Sequence, residues 1–163
     1  MKEKVKEIIP YIIVLIIVLL LKQYVFTTIK VNGSSMKPTL HDKDIMIMDK
    51  ISYRFKNIER FDIVVVDKKY SKLIKRIIGL PNETVEYKDN VLYINGQVVE
   101  DKYNNPAIED FTYTLRNDEY FVIGDNRGKG QSLDSRALGS VHKKEIIGKA
   151  NLTIFPLTRI GIK

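Results

Sequence analysis

Two short stretches of the chain combine residue types that could perform nucleophilic chemistry. Ser34 and Ser35 lie in the bent segment between Gly33 and Pro38, and Lys75 opens a later run, KRIIGLP. A serine hydroxyl is a poor nucleophile unless a positioned base removes its proton. The 163-residue chain has no cysteine, and its two histidines are not well placed for this task. The candidate bases are therefore lysine, aspartate and glutamate.

A lysine acts as a base only when it is neutral, which near pH 7 requires burial to lower its pKa. In an extended strand, Lys75 shares a face with Leu73, Ile77 and Gly79. A lysine on such an apolar face either extends its ammonium group to water at an edge or is buried for a purpose. Likewise, two serines in a loop are usually solvated turn residues. The residue types alone leave these alternatives open.

Upstream of these stretches, residues 8–21 form a charge-free apolar run, IIPYIIVLIIVLLL. A helix over residues 8–26 would be about 28 Å long, close to the thickness of a bilayer core. A cleaved signal peptide would need a small-residue cleavage site, which the following KQYVFTTIKV does not offer. A buried core helix would show a one-sided polar stripe, and none is visible. The pattern therefore favours an uncleaved transmembrane anchor.

Lysines on the two sides of this run predict its orientation. Lys2, Lys4 and Lys6 precede the run, against Lys22 after it. The positive-inside rule places the flank that is richer in lysine in the cytoplasm. The predicted organisation is that of a single-pass protein of the cell membrane, with a cytoplasmic N-terminus (1–7), a signal anchor (8–26) and an extracytoplasmic domain (27–163).

The exposed domain is predicted to be mainly β. Short β-branched and aromatic runs alternate with Gly, Asn, Asp and Pro turn signals. KDN between TVEY and VLYI, and NG before QVV, are hairpin signals. The spacing predicts an antiparallel sheet wrapped into a barrel or a sandwich. The only predicted helices are the anchor and a turn near residues 142–145, and the polar residues 100–110 are predicted to form a surface loop.

Composition argues against several classes of function. The net charge is +7, but lysines are scattered among acidic residues, which gives no support to nucleic-acid binding. A mildly basic domain held beside anionic membrane lipid explains the charge. The absence of cysteine excludes a thiolate metal site, and His41 and His142 are not spaced as metal ligands. We therefore expect no metal or other cofactor, and we expect both histidines to be surface residues.

Three motifs follow the apolar segment in the order SMKPTL, KRIIGLP and GDNR with S.DSR behind it. In this order, over nearly the whole chain, they closely resemble the type I signal peptidases, and the single short anchor and the glycine at position 33 resemble their Gram-positive branch. The resemblance implies a membrane-bound serine protease with a Ser/Lys dyad. It also implies the family fold, an antiparallel β-sheet, barrel-like catalytic domain behind one transmembrane helix. The expected substrates are the signal peptides of exported preproteins.

The motifs assign family roles to individual residues. Ser35, immediately before Met36, matches the nucleophile, and Ser34 falls one position early. Lys75 matches the general base, and Ser132 matches the serine whose hydroxyl orients that lysine. The residues expected to hold the site together by ion pairs and hydrogen bonds are Asp134, Arg136, Asp125 and Arg76.

Two departures from the family pattern concern loops. Met36 and Pro38 are expected to shape the nucleophile loop and line the cleft. In the same loop, Gly33 lacks the serine hydroxyl that helps to stabilise the oxyanion in some relatives, which is the first departure. The oxyanion hole would then depend on backbone N–H groups, chiefly that of Ser35. Five residues, Arg127–Gln131, separate GDN from S.DSR where the family usually has three. This lengthened loop leaves the substrate range open.

Two other functions compete with this expectation. Some signal-peptidase-like proteins assist the assembly of surface fibres, so pilin subunits are an alternative class of partner. Self-cleaving repressors can share the Ser/Lys fold, but they carry a DNA-binding module where this chain has an apolar segment.

Overall fold

The computed structural model describes residues 2–69, 71–103 and 108–163. It begins with one long helix, α1 (Lys2–Tyr24), whose side chains are exposed from residue 6 onward. Its segment Lys6–Tyr24 is long and apolar enough, by length and composition, to cross a membrane. The helix begins before the predicted residue 8, because the preceding Lys and Glu residues favour helix. Pro10 consequently lies inside the helix rather than at its start.

The helix also ends earlier than the predicted residue 26. Val25 N–H closes the last turn by donating to the carbonyl of Leu21 at 2.9 Å. Phe26 already pairs with Asp49 in an antiparallel ladder. A β-branched and an aromatic residue at this point favour strand over helix, so the helix is joined directly to the sheet.

The remainder of the described chain is mainly antiparallel β-structure. Its strands are β1 (Phe26–Lys30), β2 (Ile45–Asp49), β3 (Ile63–Lys68), β4 (Ser71–Gly79), β5 (Thr84–Lys88), β6 (Val91–Ile94), β7 (Gln97–Val99), β8 (Phe111–Thr114), β9 (Glu119–Ile123), β10 (Val141–His142), β11 (Ile146–Phe155) and β12 (Gly161–Ile162). The predicted fold class is therefore confirmed.

Among the described residues, the strands form two sheets. The larger sheet has the order β1-β2-β11-β3-β4-β9-β10, with β12 paired to β11, and the smaller has the order β7-β6-β5-β8. Asp89 and Asn90 between β5 and β6, and Asn95 and Gly96 between β6 and β7, all have positive φ. Two consecutive positive φ values match the twist of a two-residue hairpin, and both predicted hairpins are confirmed.

The prediction of only two helical segments is wrong. A 3₁₀ turn does lie at Lys143–Glu145, but the chain also forms α2 (Ser52–Phe55), α3 (Ser135–Leu138) and a 3₁₀ turn at Leu157–Arg159. A four-residue helix makes barely one turn and leaves no periodic apolar pattern in the sequence. Of the predicted loop 100–110, residues 104–107 lie outside the described residues, and the described remainder contains no helix or strand.

Two apolar clusters support the parts of the fold that carry the motifs. Met36 and Leu40, both buried, pack with Met46 and Val65 beneath the loop that follows β1. A separate cluster that includes Phe121 of β9 joins the two sheets. The loop is thus fastened to the larger sheet by its own apolar side chains.

Candidate active site

The loop that carries Ser35 is closed at its base by the backbone. Val31 N–H donates to the carbonyl of Asp44, and Lys43 N–H donates to the carbonyl of Val31, both at 2.8 Å. Gly33 has φ of 88°, a left-handed conformation that glycine adopts without a Cβ penalty. Met36, which is 2% exposed, anchors the loop next to Ser35. The chain therefore presents the Ser35 hydroxyl from a short, well-fastened loop.

Lys75 faces this hydroxyl from β4. Its Nζ lies 2.7 Å from Ser35 Oγ, although 39 residues separate the two along the chain. Lys75 is opposite Val64 of β3 and is 2% exposed. The apolar strand pattern around Lys75 left two alternatives, an ammonium group that reaches water at an edge and a buried one. In the structure the lysine is buried.

Burial changes the acid–base properties of Lys75. Removal from water disfavours the charged ammonium and lowers the pKa from 10.5 to about 8. The negative charges of Asp134 and Asp125 oppose this effect, and the positive charge of Arg136 adds to it. A lysine with this pKa supplies neutral amine near physiological pH, as a general base must.

Asn126 holds the Ser35 loop in place and was missed in the sequence. Its backbone N–H donates to the carbonyl of Ser35 at 2.9 Å, and its side-chain amide donates to the carbonyl of Ser34 at 3.2 Å. At Gly124, two residues before Asn126, an added Cβ would lie 2.3 Å from the carbonyl oxygen of Ser35. The GDN motif thus contributes a close backbone approach and two hydrogen bonds, in addition to its acidic side chain.

Arg76 and Asp125 form a buried ion pair next to the site. Arg76 Nε and Nη2 donate to the two carboxylate oxygens of Asp125 at 2.8 and 2.7 Å, and both side chains are almost fully buried. Arg76 Nη1 donates to the carbonyl of Phe61 at 2.7 Å. The guanidinium carbon lies 3.6 Å from the centre of the Tyr103 ring. The ion pair predicted for Asp125 and Arg76 is present, and its role in supporting the site stays a prediction.

Asp134 and Arg136 form a second two-point ion pair. Arg136 donates to both carboxylate oxygens of Asp134, at 2.9 and 2.8 Å. Gly124 N–H also donates to Asp134, at 3.2 Å. Burial by itself would raise the pKa of Asp134, but hydrogen bonds from Arg136, Ser132 and the Gly124 N–H, together with the charge of Arg136, outweigh it and lower that pKa. The neighbouring Ser135 accepts a hydrogen bond from Val122 N–H at 3.0 Å, a structural contact that the sequence did not reveal.

Ser132 lies on the same side of Gly124 as the Ser35 carbonyl. A Cβ on Gly124 would lie 2.4 Å from Ser132 Oγ, so the glycine leaves room for this serine. The Ser132 hydroxyl is buried beside the Asp134 carboxylate, whose pKa it helps to lower. Its expected role in orienting Lys75 stays a prediction.

The remaining predicted residues of the Ser35 loop differ in whether they are exposed to solvent or line the cleft. Gly33, Ser34 and Pro38 are exposed, whereas Ser35 and Met36 line the cleft. The Ser35 N–H donates no hydrogen bond to another described residue. This N–H is thus available as a donor to an oxyanion. Pro38 is not among the described residues that line the cleft, contrary to the expectation.

A cleft of about 710 Å³ opens beside Ser35 and Lys75. Its walls are residues 28–32 of β1 and the following turn, and residues 71–75 of β4. In the described residues, β1 pairs on one side with β2, and β9 pairs with β4 from Arg76 onward. Both walls consequently present unpaired strand edges, which can accept an extended peptide by backbone hydrogen bonding.

Two residues of the lengthened loop Arg127–Gln131 pair with groups outside this cleft. Arg127 is fully buried and forms an ion pair with Asp101 at 3.0 Å, and Lys129 pairs with Glu109 at 2.7 Å on the surface. Arg127 and Lys129 help to line a different cavity, of about 330 Å³, that includes Arg136. No described residue of the loop lines the cleft beside Ser35. The loop is docked on the segments around the smaller sheet.

The histidines take no part in this arrangement. His142 Nδ1 lies 2.9 Å from Asp118 Oδ2 at the surface. Like His142, His41 is only partly exposed, so the prediction of both as plain surface residues is correct only in part. The backbone N–H of His41 donates to Asp44 at 2.9 Å within the loop.

The family model described as signal peptidase, peptidase S26, matches residues 4–155. The chain belongs to this family. The match covers the apolar helix, the Ser35 loop, Lys75 and both ion pairs. It confirms the predicted family, the type I signal peptidases, and the predicted enzyme class, a peptidase.

Individual relatives agree with this assignment. Signal peptidase I V of Bacillus subtilis (strain 168) is 38% identical over 154 residues, which cover 84% of this chain and 90% of the relative. Signal peptidase I of Bacillus caldolyticus is 34% identical over 179 residues, which cover 99% of this chain and 97% of the relative. The crystal structure of a signal peptidase I from Enterococcus faecalis matches with a TM-score of 0.52 and 36% identity, covering 58% of this chain and 97% of that chain.

Proposed function

We propose that this chain is a membrane-anchored serine endopeptidase that removes N-terminal signal peptides from exported preproteins, with Ser35 as nucleophile and Lys75 as general base. The observation that carries the proposal is the 2.7 Å contact between Lys75 Nζ and Ser35 Oγ. It joins a hydroxyl to a buried amine whose pKa is lowered to about 8. Hydrogen-bond contact and a matched pKa are the two requirements for a base that activates a nucleophile.

The reaction begins when neutral Lys75 takes the Ser35 proton as the hydroxyl oxygen attacks the scissile carbonyl. The C–N bond then breaks, the new N-terminus of the mature protein takes the proton from Lys75, and the signal peptide remains as an ester on Ser35. Lys75 next takes a proton from water, whose oxygen attacks the ester, and returns that proton to Ser35. Atoms and protons balance without a cofactor.

Backbone donors carry the oxyanion in this scheme. Gly33 has no hydroxyl to offer, and the Ser35 N–H has no other described partner. One well-placed donor of this kind stabilises the transition state by about 3 kcal/mol. The Ser132 hydroxyl, which is buried beside the Asp134 carboxylate, is proposed to orient Lys75. The Asp134–Arg136 and Arg76–Asp125 pairs hold the surrounding backbone.

The cleft supports an extended peptide as substrate. Alternate residues of an extended chain point to the same side, so the first and third residues before the cut would face the same wall. Met36, Val65 and Ile74 make that wall apolar. This arrangement is consistent with the small residues that the family's substrates carry at these two positions.

The proposed anchor is Lys6–Tyr24, with the N-terminus in the cytoplasm and the sheets on the outer side. Its exposed apolar side chains have no described protein partner to cover them. Confining enzyme and preprotein to one membrane surface raises their effective concentration. Membrane lipid is thus a proposed partner of α1.

Cleavage of a purified preprotein by the full chain in detergent micelles tests the catalytic pair. Ser35→Ala is expected to abolish cleavage, and Lys75→Met to lower kcat/KM by about 10²–10⁴-fold, because no other described base contacts the hydroxyl. Ser34→Ala is the matched control, since it removes a neighbouring hydroxyl from the same loop. Full activity in Ser35→Ala, or loss of activity in Ser34→Ala with the fold retained, would overturn the assignment.

The alternative, a factor dedicated to pilus subunits, was based on signal-peptidase-like proteins that assist surface fibres and on the substrate range that the lengthened loop left open. That loop packs on Asp101 and Glu109 rather than on the cleft. No specific observation therefore favours pilins over preproteins, and a side-by-side cleavage assay on both classes compares them directly.

A further inference from the structure

The end of α1 is fastened to the segment that leads into α2. Lys50 N–H donates to the carbonyl of Val25 at 2.9 Å, and Lys50 Nζ donates to the carbonyl of Gln23 at 3.0 Å. Gln23 lies in the last turn of the helix. Lys50 is therefore held next to the end of the helix, where the proposed anchor leaves the bilayer.

A small cavity opens next to this fastening point. It has a volume of about 220 Å³ and is lined by Lys50, Arg54 and Lys143 together with Tyr53, Ile58 and residues 146–148. We call it the junction cavity. One water molecule occupies about 30 Å³ in the liquid, so the space suffices for a phosphate group. Three cations around one cavity favour an anion.

Two of these cations have no counter-charge. Arg54 and Lys143 are exposed, and neither forms an ion pair with another described residue. Of the acidic groups nearby, Asp49 and Glu145 are already engaged, whereas the exposed Glu59 forms no ion pair with a described residue. Asp49 accepts hydrogen bonds from Ile51 N–H and Ser52, and Glu145 is paired with Lys68 at 2.8 Å.

An exposed aromatic residue follows Arg54 directly in the chain. Phe55 ends α2 and is 81% exposed, and it lies between Arg54 and the exposed Lys56 in the chain. A large aromatic residue flanked by basic residues is typical of the membrane–water interface, where the ring enters the headgroup layer and the cations meet lipid phosphates.

We propose that the junction cavity and Phe55 form a docking surface for anionic phospholipid headgroups in the leaflet from which α1 emerges. The proposal rests on the proposed anchoring by α1 and adds a second attachment point. With two points fixed, the catalytic domain cannot swing freely on the anchor. Because β1 leads from the helix into the cleft over five residues, about 17 Å of strand, docking sets the height of Ser35 above the bilayer.

A tryptophan introduced at position 55 reports this docking, since the natural chain contains none. The full-length Phe55→Trp variant is placed in phosphatidylcholine nanodiscs with and without about a third of phosphatidylglycerol. Lipids with a quencher near the headgroup should quench its fluorescence more than lipids with a deep quencher, and more strongly when phosphatidylglycerol is present. About 1 M salt, where the Debye length is about 3 Å, should remove the phosphatidylglycerol effect.

Charge reversal separates the docking surface from general basicity. Arg54→Glu with Lys143→Glu should lower the docking equilibrium by about 25-fold or more, at about 1 kcal/mol for each cation lost. Lys88→Glu with Lys102→Glu is the matched control, because both lysines are exposed on or beside the smaller sheet. Val98→Trp, in the smaller sheet and 67% exposed in the natural chain, should remain unquenched.

The proposal is overturned if the Phe55→Trp variant is quenched no more than the Val98→Trp variant, or if the control pair abolishes quenching as fully as the Arg54 and Lys143 pair. It is also overturned if millimolar inorganic phosphate with neutral discs reproduces the change, since the cavity would then bind a free ion. Resistance of the chain to alkaline carbonate extraction tests anchoring separately. Preprotein cleavage tests catalysis, and the tryptophan fluorescence does not depend on it.

Discussion

Lys75 and Arg76 are consecutive residues of β4, and both are almost fully buried, at 2% and 1% exposure. Arg76 has a carboxylate on two nitrogens, a backbone carbonyl on the third and an aromatic ring against its plane. Lys75 contacts the Ser35 hydroxyl, and no described carboxylate is within ion-pair distance of it. Alternation along the strand points the two side chains to opposite faces.

The difference shows how one strand serves two purposes. A fully paired buried cation keeps its charge and fixes the structure around it. An unpaired buried cation has a lowered pKa and becomes available as a base. The distant charges of Asp134 and Asp125 limit the decrease in the pKa of Lys75 to about 8, so the amine still titrates near the working pH.

The largest expected effect on stability comes from breaking the buried ion pair between Arg76 and Asp125. Asp125→Asn leaves Arg76 buried without its counter-charge, and removal of one partner from a buried ion pair costs about 3–5 kcal/mol. Urea denaturation of the full chain in micelles, followed by circular dichroism, measures the loss. Arg76→Met combined with Asp125→Leu is the control. This double variant should keep more stability than Asp125→Asn, and the opposite order would contradict our interpretation of the pair.

Lys75 has no described carboxylate within ion-pair distance, so Lys75→Met should stabilise the fold while it destroys activity. The unfolded chain binds the lysine proton below pH 10.5, and the folded chain binds it below about 8. Between these values the unfolded state holds more protons, so the stability of the natural protein rises with pH. The gain from methionine is therefore about 3 kcal/mol at pH 7 and disappears above pH 10.5. Urea titrations at several pH values measure it, and a gain that does not vary with pH would refute the linkage.

The pH dependence of cleavage is the next effect in size. Only neutral Lys75 is active, so kcat/KM should rise about tenfold per pH unit below pH 8 and level off above it. About a tenth of the molecules are active at pH 7. Asp125→Asn should move the midpoint to lower pH, because it removes a negative charge that raises the pKa of Lys75. A midpoint near 6 in the natural enzyme would point to a different base.

The smallest effect concerns the ring that covers Arg76. Tyr103→Leu removes the ring 3.6 Å from the guanidinium carbon and is expected to cost about 1 kcal/mol, the typical size of a cation–π contact that is partly exposed. Tyr93→Leu, at a half-buried tyrosine of β6, is the comparison variant. A loss as large as that of Asp125→Asn would mean that the ring, rather than the carboxylate, supplies most of the compensation for Arg76.

Local patterns in the sequence were sufficient for the main elements. Alternating β-branched runs and paired Asn, Asp and Gly residues predicted the strands and both hairpins, because these signals act within a few residues. They could not predict α2 and α3, which are too short for a periodic signal, nor the exact ends of α1. Asn126, Tyr103 and Ser135 were missed because their partners are distant in sequence.

The sequence by itself determined the family, through three motifs in order, and with it the expectation that Ser35 and Lys75 act together. It could not decide whether Lys75 is buried, since a lysine on an apolar strand face is compatible with either state. The tertiary structure decided that question by bringing a loop and a strand from separate parts of the chain to 2.7 Å. It also buried Arg127 of the lengthened loop against Asp101, and no described residue of that loop lines the cleft. Desolvation and ion pairing depend on every group around a site, so they appear only when the chain is folded.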